Sequence, residues 1–318
     1  METVGFIGLG NMGAPVAGHI QKAGYPMVVC DLRDEATQPF VEKGARRAGS
    51  PAETARFSDV IFSALPGPKE VEEVALGADG IIEGVKKDGV YLDISTGPPS
   101  LVRRIEPLFR AREAYVLDGP VSAGQPGAVR GIHEVMVGGD REIFERVKPI
   151  LASFGDQVLY TGELGTASIC KLAHQMIGCG VAQAIAEGLT LGVKAGVKAE
   201  VLWECVRRGL VGRMHILHEQ IPRTTFRGRY EPAVFTLSLL RKDLGLATDL
   251  GREHEVPLPV ANLVEEILIQ AMSRGWGKRN GYTAAFALQE EAAGVEVRAP
   301  DVDPERAAKY ISTHPDAD

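Results

Sequence analysis

Short apolar runs separated by amphipathic stretches characterise the first half of the chain. The clearest runs cover residues 4–7, 60–65, 90–94, 114–117, 135–137 and 158–160, and a further run ends just before Asp31. Alternation of buried strands with amphipathic helices is typical of a doubly wound parallel sheet. Up to about residue 163 the chain is therefore predicted to form an α/β domain.

Beyond Gly165 the pattern becomes helical only. Residues 165–193 are so rich in Ala, Gly and other small residues that most faces must be buried, which predicts a long central helix. Further helices are predicted at about 199–208, 213–221, 233–252 and 260–274. We therefore expect an all-helical substrate-binding and dimerisation domain over residues 164–295, and a polar, loosely held tail over residues 296–318.

A glycine-rich turn follows the first apolar run and consists of Gly8, Leu9, Gly10, Asn11, Met12 and Gly13. In such a turn the first glycine allows a tight bend, the second lets a pyrophosphate approach, and the third lets the next helix pack closely. The N-terminus of that helix offers unpaired N–H groups to the phosphates. Because Asp31 also closes the second apolar run, the pattern predicts a dinucleotide site on a Rossmann sheet of residues 1–163.

Ligands in such sheets bind beyond the carboxyl ends of the strands, so the turns that contain Leu65, Pro66 and Thr96 are expected to wall the site. The Asp31 carboxylate can accept hydrogen bonds from ribose hydroxyls and would repel a 2′-phosphate, which favours NAD. Arg33 is the opposing signal, because a guanidinium could pair with that phosphate. NADP therefore stays the less favoured cofactor.

The charge balance excludes one class of partner. A net charge of -7 and a pI near 5.6 argue against a nucleic-acid surface. The four cysteines have no CxxC or zinc-type spacing, and no signal peptide precedes the first strand, so a reducing cytoplasm is the expected setting. His215 and His218 stand three residues apart, a spacing that could suit a metal ion. Because the sequence offers no third ligand near them, no metal site is predicted.

The apolar run over residues 165–193 is not expected to cross a membrane. A membrane span needs about 20 mostly apolar residues. This run is interrupted by Lys171, His174, Gln175, Gln183 and Glu187. Its small residues instead predict burial against a second subunit, in a homodimer or homotetramer.

Four separated motifs resemble those of the β-hydroxyacid dehydrogenase family, which includes 3-hydroxyisobutyrate, 4-hydroxybutyrate, tartronate semialdehyde and 6-phosphogluconate dehydrogenases. The first is the glycine turn, and the second is Asp-x-Ser-Thr at residues 93–96. The third runs from Asp118 to Gly124 and is followed by Met-Val-Gly-Gly at residues 136–139. The fourth is Gly-Glu-Leu-Gly at residues 162–165 with Lys171 beyond it. The resemblance covers residues 3 to 292.

The resemblance implies NAD-dependent oxidation of a small 3-hydroxy or 4-hydroxy acid, or the reverse reduction, with Lys171 as general base or acid. A lysine can serve only if its pKa falls towards neutrality, which desolvation in a buried helix can cause. By the same resemblance the substrate, which carries a carboxylate, is held by Ser122, Ala123, Gly124, His174, Gln175, Phe235 and Asp243. Lys242 and Thr96 are assigned to the cofactor.

Two positions depart from the family pattern. Ala123 stands where glycine is usual, and Gln175 stands where asparagine is usual. Two other classes remain open: imine reductases share the architecture but generally lack the catalytic lysine, and a non-catalytic dinucleotide-binding scaffold would also tend to lose it. Lys171 counts against both.

Overall fold

The computed structural model describes residues 1–122, 124–233 and 235–309. Its strands form one sheet of nine strands: β1 (Val4–Ile7), β2 (Met27–Cys30), β3 (Arg46–Arg47), β4 (Val60–Ser63), β5 (Val90–Asp93), β6 (Tyr115–Asp118), β7 (Val121–Ser122), β8 (His133–Gly138) and β9 (Gly155–Gly162).

The strand order shows the doubly wound topology. The sheet runs β3-β2-β1-β4-β5-β6-β8-β7, with β9 paired to β8. Every pairing from β3 to β6 is parallel, whereas β8 runs antiparallel to both β6 and β7. The chain order therefore reverses between β1 and β4, where such sheets open the crevice that holds a dinucleotide. The predicted Rossmann sheet is confirmed.

Eight helices connect these strands: α1 (Gly13–Lys22), α2 (Asp34–Val41), α3 (Pro51–Arg56), α4 (Pro68–Leu76), α5 (Ile81–Gly84), α6 (Pro99–Arg110), α7 (Gly124–Arg130) and α8 (Arg141–Leu151). Successive side chains of a strand point to opposite faces, so each buried strand feeds two cores. Phe62 belongs to the core on one face, where it stacks on Phe6. The neighbouring Ile61 belongs to the core on the other face, with Phe109.

The second half of the chain is helical. It contains α9 (Thr166–Lys194), α10 (Ala199–Arg208), a π-helical turn (Ile216–Gln220), α11 (Ile221–Arg223), a 3-10 turn (Thr225–Arg227), α12 (Leu237–Glu253), α13 (Pro259–Ser273), α14 (Ala284–Ala293) and α15 (Pro304–Lys309). The long central helix and the helical second domain are confirmed. Helices α14 and α15 were not predicted, and α14 has only a weak amphipathic pattern.

The chain divides into two compact units, Met1–Ile177 and the residues from Gly178 onward, so the division falls within α9. The domain limits near residues 163 and 295 stay predictions. Part of the expected tail makes contacts: the Arg298 guanidinium binds the Glu290 carboxylate, and the Ala299 N–H donates to the Phe226 carbonyl. Residues 310–318 lie outside the described part of the chain.

Helix α9 has the length and composition that would allow a membrane span, the one described helix for which this holds. Its apolar side chains are exposed in the single chain, with Met176 at 71% and Ile177 at 59%. Its polar residues also have partners: the Glu187 carboxylate accepts the Val260 and Ala261 N–H groups at the start of α13, at 2.9 and 3.0 Å. That contact ties the last third of α9 into the helical unit.

The cysteines and the described histidines are candidate metal ligands because of the His215 and His218 pair. All four cysteines are free thiols. His215 Nε2 lies 3.2 Å from a Glu219 carboxylate oxygen. Over the described residues, no group of three or more His, Cys, Asp or Glu side chains is placed to hold a metal ion.

Candidate active site

The glycine turn between β1 and α1 has the shape that a dinucleotide requires. Gly8 has a φ of +90°, and a Cβ there would lie 2.4 Å from the Ala64 carbonyl oxygen. A Cβ on Gly13 would lie 1.9 Å from the Gly8 carbonyl oxygen, so neither position tolerates a side chain. A Cβ on Gly10 would meet nothing within 4 Å, which leaves open space for a pyrophosphate against the backbone.

Asp31 is fixed beside that turn, just after β2. One carboxylate oxygen accepts the Leu9 N–H at 2.7 Å, and the other accepts the Arg33 N–H at 2.9 Å. The Arg33 guanidinium approaches the same oxygen at 3.4 Å, although its side chain is mostly exposed. The carboxylate is thus placed by the backbone to accept hydrogen bonds from a ribose. These residues fit NAD.

The turns after β4 and β5 are locked together by a buried polar network. Asp93 accepts hydrogen bonds from the Ser63 hydroxyl at 2.7 Å and the Ser95 N–H at 3.1 Å. The Ser95 hydroxyl in turn accepts the Leu65 N–H at 2.8 Å. Burial raises the pKa of Asp93, and the serine hydrogen bonds oppose this shift. Two predicted cofactor residues, Pro66 and Thr96, are exposed on the turns that this network holds.

Asp118 begins the third family motif, residues 118–124, which we call the substrate loop for its predicted role, and it connects this loop to the start of α9. Its carboxylate is buried and accepts the Gly165 N–H at 2.8 Å, the Ser168 N–H at 2.7 Å and the Ser168 hydroxyl at 2.9 Å. A Cβ on Gly138 would lie 2.5 Å from the same carboxylate, which explains the glycine there. Because Asp118 binds the first turn of α9, it fixes the helix that carries Lys171 one turn further on.

Lys171 is buried, at 7% exposure, and its ammonium donates to the Gln175 side-chain oxygen at 3.3 Å. Burial lowers its pKa below the usual 10.5, and the nearby Glu134 carboxylate opposes the shift. This is the setting that a lysine needs to act as a base near neutral pH. The structure therefore brings Lys171 and Gln175 together, whereas His174 lies exposed on the same helix.

The substrate loop is supported by β8. Ser122 is buried and lies directly opposite Glu134 in the antiparallel β7–β8 pair. Its carbonyl oxygen accepts a hydrogen bond from His133 Nδ1 at 2.7 Å. Gly124 adopts a φ of +62°, a left-handed conformation that favours glycine. Ala123 lies outside the described residues.

Sequence reasoning missed three residues of this region: Asp118 as a helix cap, His133 and Glu134. The available signal for the last two was a pair of polar residues at the start of an otherwise apolar strand. Its meaning depends on which strand pairs with β8, which a single sequence does not reveal.

The remaining predicted site residues form a cluster of their own in the helical unit. Phe235 stacks on Tyr282 with ring centroids 5.5 Å apart, and Lys242 pairs with Asp243 at 2.8 Å. Burial raises the pKa of Tyr282, and the Asp243 carboxylate raises it further. The structure thus brings Phe235 and Asp243 to one aromatic residue, Tyr282, that the sequence did not single out. Their contact with substrate or cofactor stays a prediction.

Family models match nearly the whole chain. The model described as the NAD binding domain of 6-phosphogluconate dehydrogenase matches residues 3–162. The model described as the NAD-binding of NADP-dependent 3-hydroxyisobutyrate dehydrogenase matches residues 165–288.

Characterised relatives match over most of their length. The 2-(hydroxymethyl)glutarate dehydrogenase of Eubacterium barkeri is 32% identical over 92% of this chain and 97% of its own. The mitochondrial 3-hydroxyisobutyrate dehydrogenase of Mus musculus is 32% identical over 91% of this chain and 87% of its own. The NAD-dependent L-serine dehydrogenase of Pseudomonas aeruginosa is 32% identical over 88% of this chain and 95% of its own.

An imine reductase from Myxococcus stipitatus in complex with NAD+ has a TM-score of 0.81 at 17% identity, over 91% of this chain and 99% of its own, which shows the shared fold. The family models and the relatives above 30% identity identify the family more specifically than this match of folds does. The chain belongs to the β-hydroxyacid dehydrogenase family, as an NAD-binding oxidoreductase that acts on CH–OH donors.

Proposed function

We propose that this protein interconverts a small 3-hydroxy or 4-hydroxy acid and the corresponding semialdehyde or keto acid, with NAD as the redox partner and Lys171 as the acid–base group. The observation that carries the proposal is the Lys171 amine, buried and with a lowered pKa, on a helix whose first turn is bound by Asp118. Because Asp118 ends strand β6, this arrangement fixes the Lys171 amine relative to the strand that leads into the substrate loop.

Bound NAD+ supplies the acceptor for the hydride that leaves the carbinol carbon. In oxidation the neutral Lys171 amine accepts the proton of the substrate hydroxyl while the carbon–oxygen double bond forms. In reduction the Lys171 ammonium returns a proton to the carbonyl oxygen. The Gln175 side-chain oxygen, 3.3 Å from Nζ, accepts one N–H and so orients the amine.

The substrate carboxylate is assigned to the loop that Ser122, Ala123 and Gly124 share. The Ser122 hydroxyl and the loop N–H groups are donors on a segment with little side-chain bulk. Relatives whose names specify 2-(hydroxymethyl)glutarate and 3-hydroxyisobutyrate support an acid substrate. Each charge-assisted hydrogen bond contributes about 1.5–3 kcal/mol, so the loop should favour an acid over its amide at least tenfold.

A substrate panel tests the proposal directly. The NAD-dependent oxidation of 3-hydroxyisobutyrate, 4-hydroxybutyrate and L-threonate would be compared with that of their methyl esters or amides. Turnover of at least one acid, with the neutral forms at least tenfold poorer in kcat/KM, supports it. Comparable efficiency for acids and neutral forms would remove the carboxylate from the assignment, and no turnover of any acid would remove the reaction.

Imine reduction is the second candidate, because the fold matches an imine reductase at a TM-score of 0.81. An imine substrate is already a nitrogen base and needs no lysine to accept a hydroxyl proton. A cyclic imine tested with NADH and NADPH separates the two reactions. The presence of Lys171 favours oxidation of a hydroxy acid over imine reduction, and it is also evidence against a non-catalytic scaffold.

We infer that the protein works as a homodimer or homotetramer in the cytoplasm, without a nucleic-acid or membrane partner. The exposed apolar side chains of α9 are the surface that a second copy would cover. The Glu187 carboxylate on the N–H groups of α13 argues that this helix packs against protein and not lipid.

A further inference from the structure

Glu134 is a carboxylate that the proposed reaction does not use. It lies on β8 directly opposite Ser122, and residues opposite each other in an antiparallel pair project to the same face with Cβ atoms about 4.5–5.5 Å apart. Its neighbours on the strand, His133 and Val135, are fully buried, whereas Glu134 is half-buried. The carboxylate therefore stands on the same face of the sheet as the Ser122 hydroxyl.

The one described side chain of opposite charge that interacts with the Glu134 carboxylate is Lys171. Within the part of the chain that the structure describes, Glu134 forms no hydrogen bond and no ion pair within 4 Å. Its field does reach the Lys171 amine. When Lys171 is neutral, as the oxidation requires, the Glu134 charge beside the Ser122 hydroxyl therefore has no compensating side chain among the described residues.

This arrangement favours a zwitterionic substrate over a substrate that carries only a negative charge. A carboxylate bound at Ser122 would lie close to the Glu134 carboxylate, and like charges repel strongly where water is partly excluded. A substrate with an ammonium group next to its carboxylate avoids this cost, because the ammonium can donate to Glu134 while the carboxylate faces the loop.

We propose that Glu134 is a specificity-determining residue that selects zwitterionic 3-hydroxy acids, in which an ammonium adjoins the carboxylate, over 3-hydroxy acids that carry only the negative charge. The proposal rests on the proposed function and narrows its substrate class. It assigns the Glu134 carboxylate to the substrate ammonium and leaves the hydroxyl proton to Lys171.

The test uses substrates that differ by the ammonium alone. L-serine and D-serine carry it, and 3-hydroxypropionate does not. In the unmodified protein the kcat/KM for one serine enantiomer should exceed that for 3-hydroxypropionate. Glu134→Gln should lower this ratio at least tenfold, the loss expected of one hydrogen bond to a charged group. Glu83→Gln, the same change on the exposed helix α5, should leave the ratio as it is.

Two further measurements keep the outcome unambiguous. If Glu134→Gln lowers kcat/KM for serine and 3-hydroxypropionate in parallel, with a shifted pH profile for both, Glu134 acts through Lys171 and the proposal is wrong. Glu134→Thr provides a second neutral side chain and should give the same change of ratio if the glutamine variant does not fold.

Calorimetric binding of serine and 3-hydroxypropionate to the NAD-loaded protein requires no turnover. Loss of serine binding in Glu134→Gln supports the role of Glu134 even if no acid in the panel is oxidised, a result that would count against the proposed reaction alone. Equal binding of serine to both forms of the protein would overturn the role of Glu134.

Discussion

The Lys171 amine must lose its proton before it can accept one from a substrate hydroxyl. Its pKa lies below 10.5 because burial disfavours the charged form. The neutral amine is present above this pKa, so kcat/KM for oxidation should rise with pH through it, whereas kcat/KM for reduction should fall. Steady-state rates in both directions as a function of pH check this. Profiles that rise or fall together would contradict a single acid–base group.

We propose that Asp31 sets the choice between the two nicotinamide cofactors. Its carboxylate is held by the Leu9 N–H and would repel a 2′-phosphate. We expect Asp31→Ser to narrow or reverse the preference for NAD, because the repulsion disappears while Arg33 remains. The measurement is the ratio of kcat/KM for NAD and NADP in both proteins. Equal efficiency with the two cofactors before mutation would instead assign binding to Arg33.

The first turn of α9 depends on Asp118. Asp118→Asn keeps the size of the side chain, but it removes the charge and replaces one accepting oxygen by an NH2 group, so at least one of the three hydrogen bonds is lost. This change should lower the free energy of unfolding by roughly 2 kcal/mol. Because α9 carries Lys171, kcat should fall while the KM for NAD changes little. Asp140→Asn, at the exposed N-terminus of α8, is the matched control and should lower stability alone. Equal kcat values for the two variants would separate Asp118 from catalysis.

Elements with a strong local pattern were predictable, and those defined by distant pairing were not. The apolar runs predicted the ends of β1, β4 and β5 to within two residues, because each of these strands is a continuous buried segment. Strand β7 has two residues and exists because β8 pairs with it. Lys171 and the glycine turn were found as motifs. The position of Glu134 across from Ser122 follows from strand register, which one sequence does not encode locally.

Assembly concerns the whole molecule. Helix α9 exposes apolar side chains along its length, including Val181 and Ile185 at 37% and 38%. A stable soluble protein covers such a surface, so light scattering at micromolar concentration should give at least a dimer. Val181→Glu combined with Ile185→Glu should shift the mass towards a monomer, because two charges would be buried in the interface. A monomer before mutation would contradict the assembly.

The central claim is that Lys171 moves the substrate proton in an NAD-dependent dehydrogenase. The most direct measurement is the maximal rate of Lys171→Ala with the best hydroxy acid of the panel, together with its affinity for NAD by titration. Lys171 lies on α9, far along the chain from the glycine turn that we assign to the dinucleotide, so we predict loss of turnover with nearly unchanged NAD affinity. A variant that kept more than about a tenth of the parent rate across pH would contradict the account, because removal of a general acid–base group typically costs 10²–10⁴-fold.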